Sequence, residues 1–167
     1  MNKWIKYLLI VLEVGGGFAG ISMMFIFQQW RASTSHYFWW VFSIYVCFLF
    51  LFEIVAGLAL VERPQVGAAL SAVYQSLQIP VISSPLLTYE FLSGFQLGVG
   101  WTKGSPAFFV EYGARLALQL SMRTAPWFIG INMLALAFFI YLLLQLRPKA
   151  KATEPSSISI NSPQGDK

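Results

Sequence analysis

The chain has 167 residues, of which 57% are hydrophobic and 17% aromatic; only 11% are charged, and the formal net charge is +4. Soluble domains carry roughly 25% charged residues, so this composition excludes a protein whose main solvent is water. With no basic, aromatic-laced patch, the small positive excess also argues against a nucleic-acid partner.

Runs of about 20 apolar residues make an integral membrane protein the expected class, because that length crosses the hydrocarbon core as a helix. The first span, about 5–27, is interrupted only by Lys6 and Glu13. A secretory signal would have an apolar region of roughly 7–15 residues before a small-residue cleavage site. This run is longer and holds an acid, so it reads as a retained helix. The second span, about 37–61, contains Glu53 alone. The third, about 66–84, meets Pro80, which removes a backbone hydrogen bond and should kink the helix. Ser84-Pro85 and Ser105-Pro106 resemble helix starts and suggest two short amphipathic helices at the membrane surface. In the second of these, Glu111 and Arg115 stand four apart and can pair on one face. A fifth span through 107–123 would place both charges in lipid, which is costly. The fourth span, about 126–146, opens at Pro126, a residue suited to a first helical turn.

The expected fold is therefore all-α: an antiparallel four-transmembrane-helix bundle over residues 1–147, with short surface helices between spans three and four. Residues 148–167 are polar and Ser/Pro-rich and read as a disordered cytoplasmic tail. With both termini cytoplasmic, seven basic residues (Lys3, Lys6, Arg63, Arg147, Lys149, Lys151, Lys167) face inward and four (Arg31, Lys103, Arg115, Arg123) outward. That bias favours this orientation, in a bacterial inner or cell membrane.

Two phrases nearly repeat: "LEVGGGFAG" at 12–20 and "FEIVAGLAL" at 52–60. Each places one glutamate in an apolar run, with glycine four residues later. Glu13 follows the start of span one by about eight residues and Glu53 precedes the end of span two by as many. At 1.5 Å per residue both lie roughly 12 Å inside the same boundary. Gly16, Gly17 and Gly20 on one helix and Gly57 on the other would let the backbones approach closely. Two carboxylates in a low-dielectric site do not both ionise easily, so Glu13 and Glu53 are candidates for binding a proton or a ligand. The plainer reading is that each only hydrogen-bonds a neighbouring helix. Glu90 and Gly94 repeat the spacing a third time, which chance explains.

Other chemistry is thin. Cys47 is the single cysteine and His36 the single histidine, so neither a disulfide nor a metal site is expected. Trp39, Trp40, Trp101 and Trp127 suit an interfacial aromatic belt. Gly15-Gly16-Gly17 lies mid-span, out of context for a phosphate loop. No catalytic constellation is present, and the protein reads as a non-enzyme.

The stretch "FEIVAGLALVERPQVGAAL" at 52–70 resembles the second helix of DoxX-like proteins, small four-helix membrane proteins. Glu53, Ala56, Gly57, Leu58 and Leu60 match the family pattern, as do Ala68, Ala69 and Leu70. Arg63 stands where the family has its bend glycine and Gly67 where it has arginine. The resemblance implies a membrane subunit or anchor of a partner complex, redox-linked in some members, with quinone as the cofactor admitted by that analogy alone. Lipid, a partner protein or a second copy are the partners it admits. A second resemblance is local: "LLIVLEVGGGFAGISMMF" is similar to the first helix of small multidrug resistance transporters. It implies a proton-coupled transporter with Glu13 as the coupling acid.

Overall fold

A computed structural model describes residues 1–27, 36–120 and 126–147. In chain order the elements are α1 (Lys3–Phe27), α2 (His36–Glu62), α3 (Pro64–Gln78), β1 (Pro80–Ser83), β2 (Leu87–Thr102), β3 (Ser105–Leu120), β4 (Phe128–Asn132) and α4 (Met133–Leu146). The all-α expectation is overturned: four helices are joined by a four-stranded antiparallel sheet. The expected tail, 148–167, lies outside the described residues.

Among the described residues, only α1 and α2 are long and apolar enough to cross a membrane. Spans three and four are corrected. Pro80 does not kink α3; the helix has ended at Gln78, and Pro80 is the first residue of β1. Pro126 does not open a helix either. The β-branched and aromatic run after it includes strand β4, and α4 starts at Met133. Asn132 caps that start, its side-chain oxygen accepting from the amides of Leu134 and Ala135, both at 3.2 Å. At 15 and 14 residues, α3 and α4 are each roughly 22 Å long, short of the roughly 30 Å hydrocarbon core.

The two expected surface helices are instead one long β-ribbon. Thr102 pairs with Ser105, leaving Lys103-Gly104 as a two-residue turn with φ of 41° and 91°. Positive φ at both positions suits the twist of a hairpin, and glycine adopts it at no steric cost. The flanking strands are rich in Phe, Tyr, Val and Trp, which fit a pleated surface.

The ribbon is bent. Strands β1 and β4 are antiparallel neighbours, yet β2 is antiparallel to both, pairing with β1 at Thr88–Tyr89 and with β4 at Gly98–Thr102. A straight strand cannot do this, so β2 reverses course in between. The reversal falls at Gly94 (φ 81°), which pairs directly with Gly113 (φ 128°) on β3. Both backbones enter a region that L side chains rarely adopt. The bend also explains Glu111 and Arg115, which form an ion pair at 2.6 Å from within a strand rather than a helix. They flank the apex, and the fold of the strand brings them together; Arg115 also pairs with Glu90.

Two apolar cores result. At the helical end, Leu9, Leu60, Ala68, Ala72, Phe138 and Leu142 join all four helices. At the sheet end, Val46, Phe50, Tyr74 and Phe91 join α2, the last turns of α3 and the ribbon. Tyr74 meets Phe91 edge-on with ring centroids 5.3 Å apart.

Candidate functional site

Between the two cores lies a layer of polar side chains, at the level where α3 and α4 stop and the sheet begins. Glu13, Glu53, Ser71, Gln75, Gln78, Ser93, Gln96 and Asn132 are each at most 5% exposed. The outer surface is the reverse: Trp4, Phe18, Phe48, Phe108 and Tyr112 are all more than half exposed. Only 28% and 33% of the apolar windows of α1 and α2 are buried within the fold. A soluble core helix would have most of its surface covered. Polar groups inside and apolar groups outside is the arrangement a lipid solvent favours.

Glu13 and Glu53 line the same small pocket, together with Leu12, Gln75, Gln78, Ser93 and Phe138; it has room for about one water molecule and is partly open to the outside. Their partners differ. The Ser71 hydroxyl donates to Glu13 Oε2 at 2.8 Å and Gln75 Nε2 to Oε1 at 3.4 Å, so both oxygens are held by α3. Glu53 is met by one donor: the Ser93 hydroxyl stands 2.7 and 2.6 Å from its two oxygens. A hydroxyl has a single proton to give, so one oxygen of Glu53 is left undersupplied. The Tyr74 hydroxyl stands beside Glu53 and Ser93, near enough to interact with the Glu53 carboxyl although it falls short of full hydrogen-bond geometry. The amide of Gln96 and Nδ2 of Asn132 are also buried without partners among the described residues.

Glycines let this layer assemble. A Cβ on Gly16 would overlap Ser93 Oγ and stand 2.8 Å from Glu53 Oε1, so Gly16 is what admits the ribbon apex beside α1. Gly17 and Gly20 face Ile54 and Phe50 of α2, and Gly57 faces Val14 and the Cβ of Glu13. Gly15 faces open space.

Sequence reasoning located the two acids and missed what surrounds them. Ser71, Gln75 and Gln78 recur at i, i+4 and i+7, which places them on one face of α3 and could have been read as a polar stripe turned inward. Ser93 and Gly94 lie in the third echo of the glutamate–glycine phrase, attributed above to chance. No local signal marks Asn132 beyond its preference for helix starts.

No group of three or more His, Cys, Asp or Glu side chains that could hold a metal ion occurs among the described residues. Cys47 is a half-buried free thiol on α2. Comparison of the chain with known protein families, with curated proteins and with solved structures gives no match.

Proposed function

We propose that the protein is an integral membrane component without chemistry of its own. In this reading α1 and α2 cross the bilayer, and the polar layer receives a small lipid-soluble ligand bearing hydrogen-bond donors. Glu53 is the receiving group. One observation carries the assignment: Glu53 is 1% exposed, lines the pocket, and has only the Ser93 hydroxyl in full hydrogen-bond geometry to serve its two oxygens. A buried acceptor left short of donors is costly, and a donor-bearing ligand relieves that cost. The DoxX-like pattern lies on the part of α2 that presents Glu53. By that analogy the ligand is a quinol head group, for which the pocket has to widen beyond its present room for about one water molecule, and the protein is a subunit or anchor of a redox partner. The transporter reading needs Glu13 to exchange its partners, and Glu13 is the acid already held by two donors.

The test uses the protein in lipid nanodiscs titrated with a short-chain quinol. Ligand that binds only the folded state raises the melting temperature in a concentration-dependent way. The wild type should show this rise, and Glu53→Gln should lose it while keeping the melting temperature of the unliganded protein. Equal rises in both proteins, or none in the wild type, contradict the proposal. Efflux of a cationic dye from vesicles that depends on Glu13 would establish the transporter instead.

A further inference from the structure

Strand β3 has one partner among the described residues. It pairs with β2 along its whole length, from Leu120 against Leu87 to Ser105 against Thr102, and its other edge has no strand partner among the described residues. Sixteen residues of unpaired edge are long for any protein, because such an edge is a template for another strand. Here the flanking side chains are apolar: Phe108, Val110 and Tyr112 are 82%, 62% and 88% exposed. In hydrocarbon, open sheet edges are not tolerated, since no water is present to satisfy the backbone. Near the bend the same strand also carries a charge cluster, with the side chains of Arg115 and Glu111 50% and 40% exposed. Exposed ions beside so apolar a surface are a second sign of a face that something covers.

We propose that the outer edge of β3 pairs with β3 of a second copy of this chain, antiparallel, across a two-fold axis through Gly113. The bend chooses the occupant. A strand folded at its centre forms a continuous ladder only with one folded at the same point, as β2 already does by setting Gly94 opposite Gly113. A second β3 supplies that shape. A two-fold axis along the bisector of the bend exchanges its two arms, so the copies pair apex to apex with the same orientation in the membrane. Register then follows, because opposed residue numbers must sum to twice that of the central glycine. Glu111 falls opposite the Arg115 position of the other copy, and Arg115 opposite the Glu111 position. Opposite charges directly across a ladder stabilise it. Val110 likewise falls opposite position 116 and Phe108 opposite position 118. The inference rests on the membrane reading proposed above but not on the ligand assigned to the polar layer.

Two experiments test it, both on the full-length protein in membranes with Cys47→Ser as background. In the first, two differently tagged copies carry single cysteines and are oxidised. Val110→Cys with Leu116→Cys and Phe108→Cys with Leu118→Cys should join, whereas Phe108→Cys with Val110→Cys should not. In the second, Glu111→Arg and Arg115→Glu each set like charges across the axis and should weaken self-association about tenfold or more. Mixing the two variants restores opposite charges at both positions and should restore dimers, although within each chain 111 and 115 still repel. A wild type that remains monomeric, joining at mismatched positions, or mixed variants that stay apart would overturn the proposal. Because cross-linking keeps the native charges, it remains decisive if the charge variants fail to fold.

Discussion

The helical end and the sheet end of this molecule are held together by different means. At the helical end four helices share one apolar core, and each contributes residues that are almost wholly buried, such as Leu9, Leu60, Ala72 and Leu142. At the sheet end α1 and α2 continue, α3 contributes only its last turns, and a bent ribbon takes the place of the shorter helices. Beyond the ladders to β1 and β4, its attachment to the helices includes Phe91 against Phe50 and Tyr74, the Tyr89 hydroxyl donating to Leu77 O at 2.6 Å, and the hydroxyl of Ser93. The contrast suggests why the buried polar groups collect where they do. Two short helices that stop partway leave backbone ends and a change of packing partner, and the seam between helix and sheet is where buried polar groups find partners.

This comparison can be broken most sharply at its two cores. Leu60→Ala removes a fully buried side chain shared by the helices and should cost about 3 kcal/mol, lowering the melting of the whole molecule. Phe91→Ala should cost a similar amount, yet release the ribbon first. Loss of strand signal in circular dichroism at a temperature where the helical signal persists would show this. If both variants melted helix and strand together, the two ends would be one cooperative unit and the contrast drawn here would fail.

The bend offers a smaller and more selective probe. A Cβ at Gly94 would find room, its nearest neighbours being Leu12 atoms at 3.5 and 3.6 Å, so the obstacle to a side chain is the backbone angle alone. Gly94→Val should therefore cost about 2 kcal/mol, and Gly94→Asn distinctly less, because asparagine tolerates positive φ. Chemical denaturation of the two variants measures the difference. Equal losses would mean that space rather than backbone conformation requires the glycine.

How much of this was legible in the sequence follows the same division. The first two spans, 5–27 and 37–61, are long uninterrupted apolar runs and match α1 and α2 within a few residues. Beyond Gln78 the runs are short, and an apolar run of five or six residues is compatible with helix or strand alike. For that reason Trp127 to Asn132 reads as helix from the sequence and is strand β4 with its flanking residue in the fold. The Glu111–Arg115 spacing misled in another way: four residues apart signals a helix face, but a strand folded at Gly113 brings the same pair together. The Lys103-Gly104 turn was the available sign of a hairpin, obscured by the Ser-Pro that follows it. At the site, the repeated phrase disclosed both acids because two glutamates in apolar helices are conspicuous. Their partners were hidden because Ser93 reaches Glu53 only through a tertiary bend that no local pattern encodes.

The central claim is that the two acids are unequal, Glu13 fixed within the fold and Glu53 left short of donors. Thermal stability of Glu13→Ala and Glu53→Ala, measured side by side in the same lipid nanodiscs, tests it most directly. Removing Glu13 strands two donors, Ser71 and Gln75, and should cost about 1 kcal/mol or slightly more. Removing Glu53 strands the Ser93 hydroxyl but also deletes an undersupplied buried acceptor, so the net change should be well under about 1 kcal/mol. A clearly larger loss at Glu13 is the predicted result; equal losses, or a larger loss at Glu53, would contradict the account.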